Sequence, residues 1–271
     1  MRYVRTLLRV STLLLLVALS LTQRSLAIEN TDDIDTNRPS FMFSPLVVPK
    51  GSLQFENGTV YDHFQHGGTS VDLPETQVRL GLTKTTEFQM FVPNAVMFQP
   101  NSSTSFNGGA SDLNEIGLKH QFPKFKKFQA TFIGALNVPT GSRQISSGGT
   151  QPVFRIPWSY PLSSKWSIMG MQSLRVLNSG RDVIYEPDFM LTRDLDSRGR
   201  LTIFSEYGGY FAQNANGISI AHFGVVWKPA RNHQLDMQWG FGMSKTAPAA
   251  FVGFGYSFRL DNLAWSEKTS P

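Results

Sequence analysis

The sequence predicts an all-β protein, a single up-and-down antiparallel transmembrane β-barrel of about twelve strands. Three observations predict it. Bulky apolar residues alternate with polar or small ones in segments of about ten residues, the length of a tilted bilayer crossing. The connections alternate in length, as in a meander with one end outside and the other in the periplasm. After Ala27, no segment is long and apolar enough for a membrane helix.

The alternation is clearest at the end of the chain. In Gln234–Met243, Leu235, Met237, Trp239, Phe241 and Met243 alternate with polar residues or Gly. Ala250, Val252, Phe254, Tyr256, Phe258 and Leu260 do the same against a mostly small face. Earlier strands are expected at 51–61, 76–82, 87–92, 115–122, 128–138, 154–162, 165–174, 184–193, 201–211 and 220–228. Gln172 breaks the apolar face of the seventh. Pro157 and Pro187 lack the N–H that a ladder uses, so a bulge or strand boundary is expected near each. Asp62–Glu75, Pro93–Ser111 and Thr140–Gln151 read as long loops. The stretch around Lys84 and Ser163-Ser164 read as tight turns.

Residues 1–27 read as a signal peptide. Arg2, Arg5 and Arg9 precede an apolar run, and Ser25-Leu26-Ala27 supplies small residues before a cleavage point. Four of the 25 basic residues lie in this leader, which has no acid. The rest of the chain carries 21 bases against 20 acids, so its charge indicates no nucleic-acid partner. The chain has no Cys, hence no disulfide. Residues 28–50 form an extended lead-in, a possible plug, with Pro39, Pro45 and Pro49. The barrel is expected over 51–260, and 261–271 form a polar C-terminal tail.

Several short motifs, in order, resemble one family. Asp35-Thr36-Asn37-Arg38-Pro39-Ser40 is followed by Ser44-Pro45, then Val47-Val48-Pro49-Lys50-Gly51 and Leu53-Gln54-Phe55-Glu56. Asn137-Val138-Pro139-Thr140-Gly141 and Gln234-Leu235-Asp236 extend the likeness down the chain. This pattern is similar to that of the outer-membrane transporter-like family called "putative MetA-pathway of phenol degradation". The resemblance implies an outer-membrane barrel with a transport-like role and names no solute.

If the apolar faces meet lipid, the opposite faces line a lumen. That places Glu56, Arg79, Glu87, Glu115, Lys119, Arg155, Glu186, Asp188, Glu206, Asp236 and Arg259 inside. They can form a charged constriction, or pair with one another and fill a narrow barrel. Asp35 and Arg38 precede the first strand. Their segment either folds back as a plug held by salt bridges to the wall or tethers the periplasmic side. Trp158, Tyr160, Trp166, Tyr185, Tyr207, Tyr210, Trp227, Trp239 and Tyr256 suit membrane-interface girdles.

No catalytic or metal site is expected. No His-x-Ser occurs, His120 and His222 are assigned to the outer face, and His63 with His66 reads as part of a solvated loop. The expected function is facilitated diffusion of small solutes, hydrophobic or aromatic ones among them, without a cofactor. The alternative is a closed structural or adhesive barrel acting through its outer loops. An outer-membrane lipid enzyme and a soluble exported barrel are less favoured. Expected partners are outer-membrane lipid, a small-molecule solute and barrel-assembly machinery reading Gly253, Tyr256 and Phe258. The location follows as the outer membrane of a Gram-negative-type bacterium, after cleavage near Ala27.

Overall fold

A computed structural model describes residues 33–65, 67–99, 107–177, 182–213 and 215–263. The leader, its cleavage point, His66 and most of the C-terminal tail lie outside the described residues. Fifteen strand segments make one antiparallel sheet, and the last pairs with the first to close it. They are β1 (Leu53–Phe64), β2 (Thr69–Leu73), β3 (Gln77–Gly81), β4 (Thr86–Phe91), β5 (Ala95–Gln99) and β6 (Gly108–Ala110). Next come β7 (Leu113–Gln121), β8 (Gln129–Val138), β9 (Gln151–Pro161), β10 (Trp166–Val176) and β11 (Val183–Asp194). β12 (Leu201–Ala212), β13 (Ile218–Ala230), β14 (His233–Gly242) and β15 (Pro248–Leu260) complete the wall.

β2 and β3 both pair with β1, β4 and β5 lie beside them, and β6 with β7 lies next. Each of these pairs is one broken crossing, so the barrel has twelve crossings. Closure runs from Leu53↔Leu260 to Phe64↔Pro248. Among the described residues the short β6 has a ladder partner on one side only, and Ser142 N–H of the loop after β8 donates to its Ala110 O at 2.9 Å. β1 begins and β15 ends at the same rim.

Two of the three expected long connections are shorter than the sequence indicated, whereas residues 139–150 remain a long loop between β8 and β9. Asp62–Glu75 contains β2, whose Val71 opposes Tyr61, and turns only over residues 65–68. Pro93–Ser111 contains β5 and β6, with Ala95 opposite Ala110. The sequence conceals these pieces because Pro74, Pro93 and the Ser111-Asp112 step interrupt each crossing at mid-height. Pro157 and Pro187 also correct an expectation. Each stays inside its strand, opposite Met171 and Gln172 of β10 respectively. Pairing lapses beside them on the far ladder and resumes in the same register, so no bulge forms.

A bulge does occur in β7. Its ladders with β4 and β8 both shift around Asn114 and Glu115, and Glu115 has φ 52°. A non-glycine residue there is strained, and such strain concentrates where a side chain must be aimed. Glu115 N–H donates to Asn137 Oδ1 at 2.9 Å while its carboxylate points inward.

The faces separate as the alternation requires. Phe132, Phe154, Ile156, Leu174, Phe189, Trp227, Phe241 and Phe254 are exposed on the outer wall. Gln54, Gln77, Gln89, Thr131, Ser173, Gln234, Gln238 and Ser257 are buried on the inner wall. An apolar outside over a polar inside is the transmembrane-barrel pattern, the inverse of a soluble fold. Gln172 faces outward, where the Tyr185 hydroxyl donates to its Oε1 and gives that oxygen a partner. Two inward-facing rings correct the sequence reading. Tyr210 faces the lumen with Arg175 over its ring, so it belongs to no girdle. His222 is fully buried, whereas His120 is exposed on the outer face as expected.

Candidate functional site

The lumen is occupied by the chain's own lead-in. Ile34 N–H donates to Arg231 O at 2.5 Å beside the terminal rim. The segment rises to Phe41–Phe43 and returns past Val48 into β1. Ile34, Asn37, Met42, Phe43, Ser44 and Val48 are all buried. Pro39, Pro45 and Pro49 suit such a path, because an extended strap without its own ladder has no partner for every N–H.

Wall carboxylates supply the missing acceptors. Glu56 Oε2 accepts Asn37 N–H at 2.8 Å and Arg38 N–H at 3.0 Å. Glu206 accepts Phe41 N–H at 3.0 Å, Met42 N–H at 2.9 Å and His222 Nδ1 at 2.7 Å. Glu87 Oε2 accepts Val48 N–H at 2.5 Å. Charged acceptors make hydrogen bonds roughly twice as strong as neutral ones, so three glutamates hold the strap at three heights.

Arg79 joins two of these glutamates. It is fully buried and bonds Glu87 twice, at 2.8 and 3.0 Å, and Glu56 once, at 2.8 Å. Its remaining N–H groups reach strap carbonyls, Asp35 O at 2.9 Å and Leu46 O at 3.1 Å. Lys119 Nζ lies 3.7 Å from Glu87 Oε1. Every side of this guanidinium fork is used, which is the condition under which a buried charge group is tolerated.

Arg38 ties the strap to the opposite seam. Its Nη1 lies 2.7 Å from Glu75 and its Nη2 3.5 Å from Asp236. Gly58 and Gly255 face each other across β1 and β15 and leave room for it. A Cβ on Gly58 would sit 2.0 Å from the Arg38 guanidinium carbon, and one on Gly255 would sit 2.6 Å from its Nε. Asp35 differs from expectation. Its carboxylate accepts Ser44 Oγ–H at 2.5 Å inside the strap and makes no salt bridge to the wall among the described residues.

A second cluster lies on the far wall. Arg155 reaches Glu115 at 2.5 Å and Glu186 at 3.2 Å, and its guanidinium stands 5.1 Å over the Phe43 ring. Arg175 pairs with Glu186 as well. Asp188 is buried nearby, with Glu206 on the neighbouring strand. Around Arg155 the inner wall is apolar: Met42 and Phe43 pack in one cluster with Ile133, Ala135, Val153, Met171, Met190 and Phe204. Phe41 packs on the rings of His222 and Phe251, at 4.3 and 5.8 Å between centroids.

Above the strap, toward the rim away from the termini, is a vestibule of about 610 Å³. Phe41 and Phe43 form part of its floor, and Asp62, Asp72, Glu75 and Gln238 are among its walls.

All eleven expected lumenal charges therefore face inward, and most pair with each other or with the strap. Arg259 stands apart at the terminal rim, 2.8 Å from Asp261. Sequence reasoning missed Asp62, Asp72 and Glu75, because they fall in what read as a loop. It missed Arg175 by ending its strand at Leu174. It missed His222 by choosing the wrong parity, which Phe223, Val225 and Trp227 on the other face could have set.

A closed twelve-crossing wall with an apolar exterior, a charged interior and an inserted N-terminal strap defines an outer-membrane-type β-barrel. Residues 36–260 match the family model "Putative MetA-pathway of phenol degradation", and the chain belongs to that family. Its fold is similar to that of an outer membrane channel from Pseudomonas putida F1. That match has a TM-score of 0.61 and 13% identity, covering 82% of this chain and 100% of that one. The NanC porin matches with a TM-score of 0.53 and 12% identity, over 77% of this chain and 100% of that one. The KdgM porin matches at 0.52 and 9% identity, over 76% and 98%. No curated protein matches the chain.

Proposed function

We propose that this protein is an outer-membrane channel for facilitated diffusion of small solutes, with its aperture set by the N-terminal strap. The observation that carries the reading is the stack in the lumen. A vestibule of about 610 Å³ sits directly on a strap held by discrete hydrogen bonds rather than by a folded domain. A cavity of that size takes a small organic molecule. Family membership and the likeness in fold to channels and porins support the same role.

The inner wall supports a reading of the solute class. Phe43 lies between the Arg155 guanidinium and an apolar strip of Ile133, Val153, Met171 and Phe204. A displaced strap would expose that strip, which favours hydrophobic and aromatic solutes over sugars. Outer-membrane lipid surrounds the wall, and Gly253, Tyr256 and Phe258 on the closing strand β15 are the proposed contact for barrel-assembly machinery. The role requires no catalytic step and no cofactor.

Liposome swelling tests the reading with sugars, amino acids and small aromatics, on the full chain and on a deletion of residues 28–45. Swelling is expected in both, faster in the deletion, with aromatics gaining most. Absence of swelling in either would favour a closed barrel acting through its loops. A specific observation keeps that rival in view: the strap covers the apolar strip and satisfies the buried glutamates as a permanent filling would.

A further inference from the structure

We infer that the loop after β8, residues 139–150, is a second constriction at the outer mouth, fastened by Asp112 and sized by Ile145. The inference rests on the channel reading but concerns a different element from the strap. Asp112 sits in the break between β6 and β7 and is buried. Its Oδ1 accepts Gly141 N–H at 2.8 Å. Its Oδ2 accepts both the N–H and the Oγ–H of Ser147, each at 2.8 Å. One carboxylate therefore grips both ends of the loop's inner turn.

The turn between those grips is ordered on its own. Ile145 N–H and Ser146 N–H both donate to Ser142 O, at 2.9 and 2.8 Å. Ser142 N–H donates in turn to Ala110 O at 2.9 Å. Contact with the wall is close: a Cβ on Gly109 would lie 1.9 Å from Ser142 Oγ and 3.2 Å from Ile145 Cγ1. Only glycine at that place lets the loop lie against β6. The result puts Ile145 into the lining of the vestibule, where apolar Val60, Phe91 and Val96 stand with Asp62, Asp72 and Glu75.

A loop meant only for the outside has no need of a buried carboxylate to draw its middle into the lumen, where every ordered residue costs conformational entropy. Here the draw is made by charge-assisted bonds from a strand break, so the loop is held at one aperture. Asp112 is a positioning residue. Ile145 is the group that a solute passes. The vestibule is then a chamber with the loop at its entrance and the strap as its floor.

Graded thiol labelling tests this on the full chain. The chain has no cysteine, so Val60→Cys places one thiol in the vestibule wall. Its labelling rate is compared for a small methanethiosulfonate and a bulky polyethylene glycol maleimide, in detergent. Asp112→Ala and Ile145→Ala are expected to raise the bulky-to-small ratio several-fold, and Ile145→Trp to lower it. A general loosening would raise both rates together, so the ratio separates aperture from structure. Where Asp112→Ala does not fold, the two Ile145 variants decide. An unchanged ratio in folded variants overturns the inference. Labelling reports entry to the chamber whether or not solute crosses, so this failure is distinct from absence of swelling.

Discussion

Arg79→Ala is expected to destabilise the folded barrel by about 3–5 kcal/mol, the usual cost of breaking a buried ion group from one side. The substitution leaves Glu56 and Glu87 without their guanidinium, each at 0% exposure, with only Lys119 at 3.7 Å to offset them. Arg79→Lys is expected to recover little. An ammonium cannot bond Glu87 twice while also reaching Glu56 and two strap carbonyls. Denaturant unfolding in detergent, followed by loss of heat-shifted migration, measures both. A cost under about 1 kcal/mol for Arg79→Ala, the range of an exposed pair, would mean that water already solvates the cluster.

Glu206→Ala is expected to release the strap while leaving the wall closed. Three donors lose their acceptor together: Phe41 N–H, Met42 N–H and His222 Nδ1. Amide exchange at Phe41 and Met42 should accelerate by about tenfold or more, since each 1.4 kcal/mol of lost bonding changes an opening equilibrium tenfold. His222→Ala is the control. It removes the ring from Glu206 but leaves both strap bonds, so exchange at Phe41 and Met42 should change far less. Equal acceleration in the two variants would mean that aromatic packing on His222, not the carboxylate, retains the strap.

The wall was legible from the chain and its contents were not. β14 and β15 follow the period-two pattern so closely that Leu235, Met237, Trp239 and Phe254 could be set facing lipid from sequence alone. The inward charges followed from the same parity. Where prolines or a polar step cut a crossing in two, at Pro74, Pro93 and Ser111-Asp112, the pattern fell below the length of a strand, and β2, β5 and β6 read as loop. Parity also misled where both faces carry apolar residues. In β13, Ile220, Val226 and His222 share the inner face while Phe223 and Trp227 take the outer one.

The strap shows a different limit. Its prolines and the Asp35–Arg38 motif marked it as non-strand and as a plug candidate, and the ion pairs of Arg38 with Glu75 and Asp236 match the expected manner of holding. The main hold, however, is made by backbone N–H groups on Glu56, Glu87 and Glu206. Backbone donors have no sequence signature, so nothing in residues 33–50 announces which wall residue they will meet. The same is true of the Gly58–Gly255 gap. Each glycine reads as an ordinary small residue of its strand until Arg38 is seen between them.

The most direct test is single-channel recording in a planar bilayer, with the full chain compared with a deletion of residues 28–45. The account predicts small or intermittent conductance for the full chain and a larger, steadier conductance for the deletion. Identical conductance in the two would contradict the strap's role in setting the aperture, and silence in both would contradict the channel itself.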